Sequence, residues 1–84
     1  MKILFTETAW NDYLYWQRND QKITGKINDL LKDIQHQPFK GIGKLESLKY
    51  VLSGFWSRRI NQEHRLVYKI DNDVLYIIQC RYHY

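Results

Sequence analysis

The sequence predicts an α+β domain in which a helical hairpin packs on one face of a mostly antiparallel sheet. Three observations lead to this prediction. The first two are that apolar residues recur at helical spacing before Pro38 and alternate with polar residues after it. The third is the length, because 84 residues leave room for one hydrophobic core and so for one domain, residues 1–84. The sequence contains no internal repeat, low-complexity segment or linker that would divide it.

The N-terminal segment predicts a strand followed directly by a helix. Residues 2–6 are apolar in the middle and suit a short strand. Thr6 is a good N-cap, and Glu7 places a negative charge in the first turn, where the helix dipole favours it. We therefore expect a helix over about residues 7–18, with one face formed by Trp10, Tyr13, Leu14 and Gln17.

A second helix is the clearest element of the sequence. Asp20 is its candidate N-cap, and Pro38 ends it because proline disfavours helical backbone in the residue before it. The two helices are nearly contiguous, so we expect them to form a hairpin. The apolar residues at helical spacing are Ile23, Ile27, Leu30, Leu31 and Ile34.

In the second half of the chain the hydrophobic pattern becomes that of strands. Residues 55–60 and 65–70 alternate as half-buried strands do, and residues 71–73 predict a tight turn. Residues 74–80 form an almost continuous apolar run of β-forming residues, which predicts a central strand. The stretch 45–52 is ambiguous, and we interpret it as a short strand with irregular flanks. The meander would then have three or four strands.

The alternation also predicts what lies on the sheet face that the helices leave open. Arg65 and Lys69 alternate away from the apolar positions of their strand, and Arg59 does so in the strand before it. Because the helices cover one face, these cations are expected on the other. The C-terminal tail should emerge beside them.

The charge is basic and unevenly distributed. The formal net charge is +4; residues 43–84 hold seven Lys/Arg against four Asp/Glu, and residues 1–42 hold six against five. Four of the five arginines lie in the second half, and a guanidinium group can bind phosphate through two parallel hydrogen bonds. A basic half rich in Arg, Tyr and Trp fits an RNA-binding face, although solubility alone would also account for the charge.

The single cysteine and the hydropathy pattern suggest a cytoplasmic protein. Cys80 cannot form a disulfide within the chain, and its place at the end of an apolar run fits a small buried hydrophobe. The N-terminal apolar stretch is too short for a signal peptide, and no run is long enough to span a bilayer.

The spacing of histidines and carboxylates argues against metal catalysis. His36, His64 and His83 are far apart in the sequence, and none pairs at ligand spacing. The only carboxylate cluster, residues 71–73, has the composition of a turn. No Gly-rich phosphate loop is present, and nothing favours thiolate chemistry at Cys80. We expect neither a metal nor another cofactor.

Metal-free RNA cleavage requires three groups, because RNA supplies its own nucleophile, the 2′-hydroxyl. They are a base for the 2′-hydroxyl proton, cations for the charge on the phosphate, and an acid for the departing 5′-oxygen. His83 is the candidate acid, since imidazole titrates near neutrality; the alternative is a frayed tail without a role. Glu46 is the candidate base, and the alternative is a surface carboxylate paired with Lys49.

Candidate contacts to RNA come from the same basic half. Arg65 is the best candidate for the phosphate, although a solvated strand charge is the alternative. The other candidates for that role are Arg58, Arg59 and Arg81. Trp56 and Tyr84 could stack on bases, and for Trp56 a place in the core is an equal alternative.

Segments spread along the chain resemble one bacterial family. Residues 52–60 (LSGFWSRRI), 63–68 (EHRLVY) and 80–84 (CRYHY) look like the corresponding parts of YoeB-type toxins, which belong to the RelE/ParE superfamily of toxin–antitoxin systems. Residues 10–16 and 26–33 resemble the same family. The resemblance runs nearly from end to end, and the terminal Tyr-His-Tyr is its most specific part.

The resemblance implies an mRNA interferase, an endoribonuclease that cuts mRNA in the ribosomal A site and is neutralised by a YefM-type antitoxin. It implies an acid–base pair at Glu46 and His83, a phosphate-binding Arg65 and a terminal aromatic at Tyr84. The supporting cations that it implies are Lys49 and Arg59. Toxins of this type can also form homodimers.

The chain departs from the family pattern in residues 43–48, where a proline near the glutamate is expected. The backbone around Glu46 is therefore expected to differ slightly. Two rival functions stay open at this point. One is a ParE-like toxin that binds gyrase and has no need of a terminal acid such as His83. The other is a module that binds RNA or the ribosome without catalysis.

Overall fold

The computed structural model describes residues 1–83, which form two helices and one five-stranded sheet. The elements in chain order are β1 (Lys2–Phe5), α1 (Glu7–Asn19), α2 (Gln21–His36), β2 (Glu46–Ser47), a short 3₁₀ helix (Tyr50–Leu52), β3 (Trp56–Arg59), β4 (Arg65–Asp71) and β5 (Val74–Gln79). The strand order is β1-β5-β4-β3-β2, with β1 parallel to β5 and the other neighbours antiparallel. The predicted α+β class is confirmed, and β5 is a central strand.

Both predicted N-caps begin helices. The Thr6 hydroxyl accepts a hydrogen bond from the Ala9 N–H at 3.1 Å and donates one to the Ile78 carbonyl at 3.0 Å, which ties the start of α1 to β5. The Asp20 carboxylate accepts from the first N–H groups of α2, and its own N–H donates to the Trp16 carbonyl. One residue therefore ends α1 and begins α2, so the helical hairpin needs no further connection.

The helical hairpin covers one face of the sheet, and the hydrophobic core lies between the hairpin and the sheet. Fully buried apolar residues from α2, β4 and β5 meet there: Ile27, Leu30, Ile34, Leu66, Tyr68, Leu75 and Ile77. Trp56 packs against the edge of this core, with its ring 5.1 Å from that of Phe39. Of the two roles that the sequence left open for Trp56, base stacking and a place in the core, the structure favours the core, because the ring lies on the helix-facing side of the sheet.

The structure also corrects the expectation that Arg58 contacts RNA. This residue is fully buried on the helix-facing side of β3. Its guanidinium forms a salt bridge with Asp33 of α2, and its Nε donates to the Tyr68 hydroxyl at 3.3 Å. It also donates to three carbonyl oxygens after α2, those of Gln37 (2.7 Å), Lys40 (2.8 Å) and Ile42 (3.1 Å). Arg58 therefore binds the loop between α2 and β2 from inside the protein.

The loop between α2 and β2 fits closely around Arg58 because two of its residues that approach Asp33 and Arg58 are glycines. Gly41 has a φ of +121°, and a Cβ there would clash with the Asp33 carboxylate. Gly43 has a φ of +87°, and its carbonyl accepts a hydrogen bond from the Arg59 N–H. A side chain is strained at both positions. Glu46 begins the next strand, so the loop sets where this carboxylate lies. Within residues 1–83, neither helix is long and apolar enough to cross a membrane.

Candidate active site

A pocket of about 290 Å³ opens on the sheet face that the helices do not cover. It brings together four of the predicted site residues, Glu46, Arg59, Arg65 and His83. The other residues that line it are Lys44, Leu45 and Ser57. One carboxylate and one imidazole therefore share a small space with three cationic side chains.

Strand pairing explains why residues so far apart in the sequence meet here. Glu46 of β2 lies opposite Ser57 of β3, and Arg59 lies opposite Arg65 of β4. Partners across a ladder project to the same face, as do residues two apart on one strand. Three strands therefore present these four side chains side by side. Ser57 was not predicted, although its spacing from Arg59 would have identified it; Lys44 lies in a loop and leaves no periodic signal.

The Arg65 guanidinium is held firmly at the wall of the pocket. Its side chain is largely buried, and Nη1 donates to the carbonyl oxygens of Asn61 (2.7 Å), His64 (3.1 Å) and Gln62 (3.3 Å). A cation fixed in this way is already oriented before an anion arrives.

The Arg59 side chain presents a donor that the described residues do not satisfy. Its Nε is buried and has no hydrogen-bond partner among residues 1–83. Buried N–H groups are nearly always paired in folded proteins, so this one is available to a group that enters the pocket. With Arg65 opposite and Lys44 beside it, the group suited to this position is an anion.

The C-terminal tail brings His83 to the pocket from beyond β5. The Cys80 N–H donates to the Asp12 carboxylate at 3.0 Å. Burial raises the pKa of Asp12 above its ordinary value, and this hydrogen bond partly opposes the rise. Tyr82 then bonds to the start of β4 through its backbone carbonyl, which accepts from the Arg65 N–H at 3.0 Å. His83 follows and lines the pocket. Tyr84, also predicted as a site residue, lies outside the described residues.

Two of the predicted RNA contacts lie elsewhere. Arg81 stacks on α1, with its guanidinium carbon 3.5 Å from the centre of the Tyr15 ring. It is not among the residues that line the pocket, and the RNA contact expected of Arg81 stays a prediction. Lys49 lines a second groove of about 410 Å³ formed by residues 46–50 and Leu52, and Glu46 lines both spaces.

The thiol of Cys80 is a core group, as expected from its position. Its side chain is fully buried, and burial raises its pKa to about 12. The thiolate, which is the nucleophilic form, is therefore strongly disfavoured. Among residues 1–83, no three His, Cys, Asp or Glu side chains are grouped so that they could hold a metal ion.

Comparison with known proteins gives a consistent result. Residues 5–84 match the family model of the YoeB-like toxin of bacterial type II toxin–antitoxin systems. Toxin YoeB of Escherichia coli K12 is 58% identical over 84 residues, the full length of both chains. Two solved structures from Staphylococcus aureus, a heterotetrameric YoeB–YefM complex and a YoeB dimer, are each 50% identical. Their TM-scores are 0.92 and 0.93, and each comparison covers 100% of this chain and 98% of the other. The chain therefore belongs to the YoeB-like toxins of bacterial type II toxin–antitoxin systems.

Proposed function

We propose that this toxin is a ribosome-dependent endoribonuclease that cleaves mRNA in the ribosomal A site and so inhibits translation. The observation that carries the proposal is the pocket that joins Glu46 and His83 with the guanidinium groups of Arg59 and Arg65. A base, an acid and cations are the set that attack by a 2′-hydroxyl requires. The net charge of +4 supports a polyanionic substrate.

The two titratable side chains divide the proton transfers. The Glu46 carboxylate takes the proton of the 2′-hydroxyl while that oxygen forms a bond to the adjacent phosphorus. The bond from phosphorus to the 5′-oxygen breaks, and the His83 imidazolium gives its proton to the departing oxygen. The products are a 2′,3′-cyclic phosphate and a 5′-hydroxyl, and the step consumes no water and no cofactor.

The arginines stabilise the charge that develops on the phosphate oxygens. Arg65 is held by three carbonyl oxygens and needs little reorganisation to do so. A phosphate oxygen would also satisfy the buried Nε of Arg59. Lys49 lies in the adjoining groove, where it can bind the RNA backbone on one side of the cleaved bond. Tyr84 is proposed to stack on or position a base.

Primer extension on mRNA in stalled ribosomes tests the proposal. His83→Gln and Glu46→Gln should each slow cleavage by about 10²-fold or more, the usual contribution of a positioned acid or base. His36→Gln, the same change at an exposed residue at the end of α2, should leave cleavage unchanged. EDTA should not inhibit. Full cleavage by the His83 variant, or inhibition by EDTA that a divalent ion reverses, would overturn the mechanism.

Assays of ribosome binding and of gyrase supercoiling separate the rival functions. Ribosome binding without any mRNA cleavage by the wild-type toxin would indicate a non-catalytic module. Inhibition of gyrase supercoiling that His83→Gln leaves intact would indicate a ParE-like toxin. Either outcome overturns the endoribonuclease proposal, since each removes the need for an acid at the tail.

We also propose that this toxin binds a YefM-type antitoxin, forms a homodimer, and acts in the cytoplasm, where ribosomes are. The support is the Staphylococcus aureus structures, a YoeB–YefM heterotetramer and a YoeB dimer. The cations around the pocket suit an acidic antitoxin segment that orders on binding and covers the tail. Light scattering should give the mass of a dimer, and an antitoxin complex that leaves residues 80–83 exposed would contradict the proposed contact.

A further inference from the structure

The tail that carries His83 is held by hydrogen bonds to its backbone at two successive points. At Cys80, the N–H donates to the Asp12 carboxylate (3.0 Å), and the carbonyl accepts from the Trp16 indole N–H (2.8 Å). At Tyr82, the N–H donates to Nδ1 of His64 (2.7 Å), and the carbonyl accepts from the Arg65 N–H (3.0 Å). Residues 80–83 lie beyond the last strand of the sheet, so these contacts take the place of strand pairing.

The contact at Tyr82 holds the chain in a conformation that it would otherwise avoid. Tyr82 has a φ of +65°, in the left-handed region that residues with a Cβ rarely adopt. Such a conformation persists only where the surroundings enforce it. Here both polar groups of the Tyr82 backbone are bonded, one to His64 and one to Arg65. The next residue, His83, lines the pocket.

The bond from Tyr82 requires His64 in one protonation state. A backbone N–H only donates, so Nδ1 of His64 must be the unprotonated, accepting nitrogen of a neutral ring. The ring is largely buried and lies edge-on against Trp16, with ring centres 4.7 Å apart. A protonated ring would present an N–H to the Tyr82 N–H, and the two donors would repel.

Charged groups face this imidazole from each element around it. Asp12 of α1 and Glu63 of the loop before β4 favour the imidazolium, and the Glu63 carboxylate lies 4.0 Å from Nε2. Arg81 of the tail opposes it, since its guanidinium stacks on Trp16 and Tyr82, the two rings that also contact the imidazole. Two carboxylates and one guanidinium group therefore act on the charge state of this ring.

We infer that His64 is a positioning residue for the reaction: in its neutral form it holds Tyr82 in the left-handed conformation and so keeps His83 in the pocket. Protonation of His64 releases the tail and withdraws the acid. The inference rests on the proposed role of His83. It assigns His64 no contact with the substrate, and it predicts that cleavage loses rate at acidic pH because the tail leaves the pocket.

The test compares substitutions that differ in where they offer an acceptor. In His64→Asn the side-chain oxygen occupies the position of Nδ1 and does not titrate, whereas in His64→Gln it falls near that of Nε2 and misses the Tyr82 N–H. His64→Phe keeps a ring and offers no acceptor. The matched controls are His36→Asn and His36→Gln, at an exposed residue distant in the fold.

Two measurements are made on each variant. The first is the protection of the Tyr82 amide against hydrogen exchange, by NMR and relative to its intrinsic exchange rate. His64→Gln and His64→Phe should lower it roughly tenfold, the equivalent of one buried hydrogen bond, and His64→Asn should retain it. The second is single-turnover cleavage on stalled ribosomes. The rate at saturating ribosome should fall roughly tenfold in the Gln and Phe variants with unchanged affinity, and His64→Asn should extend activity to lower pH.

The outcomes separate this inference from the proposed function. If the wild-type toxin cleaves no RNA, the exchange data still decide whether His64 holds the tail. A Gln variant with an unprotected Tyr82 amide and full cleavage would overturn the positioning role. Equal protection of the Tyr82 amide in the Asn and Gln variants would also overturn it. So would a loss of cleavage rate at acidic pH that His64→Asn leaves unchanged. The Asn and Gln variants stay informative if loss of the ring packing in His64→Phe prevents folding.

Discussion

Arg58 and Arg59 are neighbours on β3, yet their side chains leave the sheet in opposite directions. Arg58 is fully buried against α2, where it forms a salt bridge with Asp33. Arg59 lines the pocket with Glu46 and His83, and its Nε has no partner among the described residues. Because successive side chains of a strand alternate between faces, one arginine serves the fold and the other the candidate site.

This division predicts opposite results for the same substitution at the two positions. Arg58→Met should lower the free energy of unfolding by about 1–3 kcal/mol, because it leaves three carbonyl oxygens without their buried donor. Arg59→Met should change it by about 0.5 kcal/mol or less and abolish most RNA cleavage. Urea unfolding and the primer-extension assay measure the two effects. Equal stability of the two variants would show that the Arg58 contacts do not hold the loop.

The pH dependence of stability should report on Asp33. The hydrogen bond from Arg58, with a smaller one from Gln37, holds the pKa of Asp33 below its ordinary value of 3.8. The ionised carboxylate therefore stabilises the fold above pH 3.8, and this contribution disappears as the pH falls through the lowered pKa. Asp33→Asn should remove this contribution to the loss of stability at acidic pH, as measured by thermal unfolding from pH 2 to pH 6. Asp29→Asn, at an exposed position of the same helix, is the control and should keep it.

Cys80 should be almost inert in the native protein. Its thiol is buried and has a pKa of about 12, so little thiolate is present and reagents cannot reach it. Ellman's reagent at pH 8 should react only as fast as the protein unfolds, and at once in denaturant. Rapid reaction in native buffer would mean that residues 80–83 detach readily from α1.

Two glycines should respond in opposite ways to alanine. Gly25 is exposed in the middle of α2 with nothing near its missing Cβ, so Gly25→Ala should stabilise the fold by about 0.5–1 kcal/mol. Gly43 has a φ of +87°, and a Cβ there would lie 2.7 Å from the Leu30 Cδ2. Gly43→Ala should destabilise by about 1–3 kcal/mol and, because the loop leads to Glu46, should slow cleavage as well. Chemical denaturation of both variants gives the comparison.

Local signals accounted for most of the fold. Thr6 and Asp20 begin the helices because a short oxygen-bearing side chain bonds to the first N–H groups wherever it precedes a helical pattern. The faces of Arg59 and Arg65 followed from strand alternation in the same way. The stretch 45–52 gave a weak pattern, and it contains only a two-residue strand and a single 3₁₀ turn.

The error at Arg58 and the omission of His64 both involve partners that are distant in the sequence. Arg58 was named as a candidate RNA contact because its charge is visible in the sequence, whereas its partner Asp33 lies 25 residues earlier in another element. Trp56 lies on the helix-facing side with Arg58, and its ring partner Phe39 is likewise distant in the sequence. His64 was considered only as a metal ligand, since nothing in the sequence joins it to the Tyr82 N–H, which lies 18 residues later.

By itself, the sequence determined the class of the fold, the face on which Arg59 and Arg65 lie, and the resemblance of the tail to a toxin family. These depend on periodicity, capping and motif, which act over a few residues. The tertiary structure decided which arginine is buried, how the loop around Arg58 carries Glu46 to the pocket, and how His64 holds the tail that carries His83. Those outcomes depend on packing and hydrogen bonds between elements, which exist only after the helices and the sheet have come together.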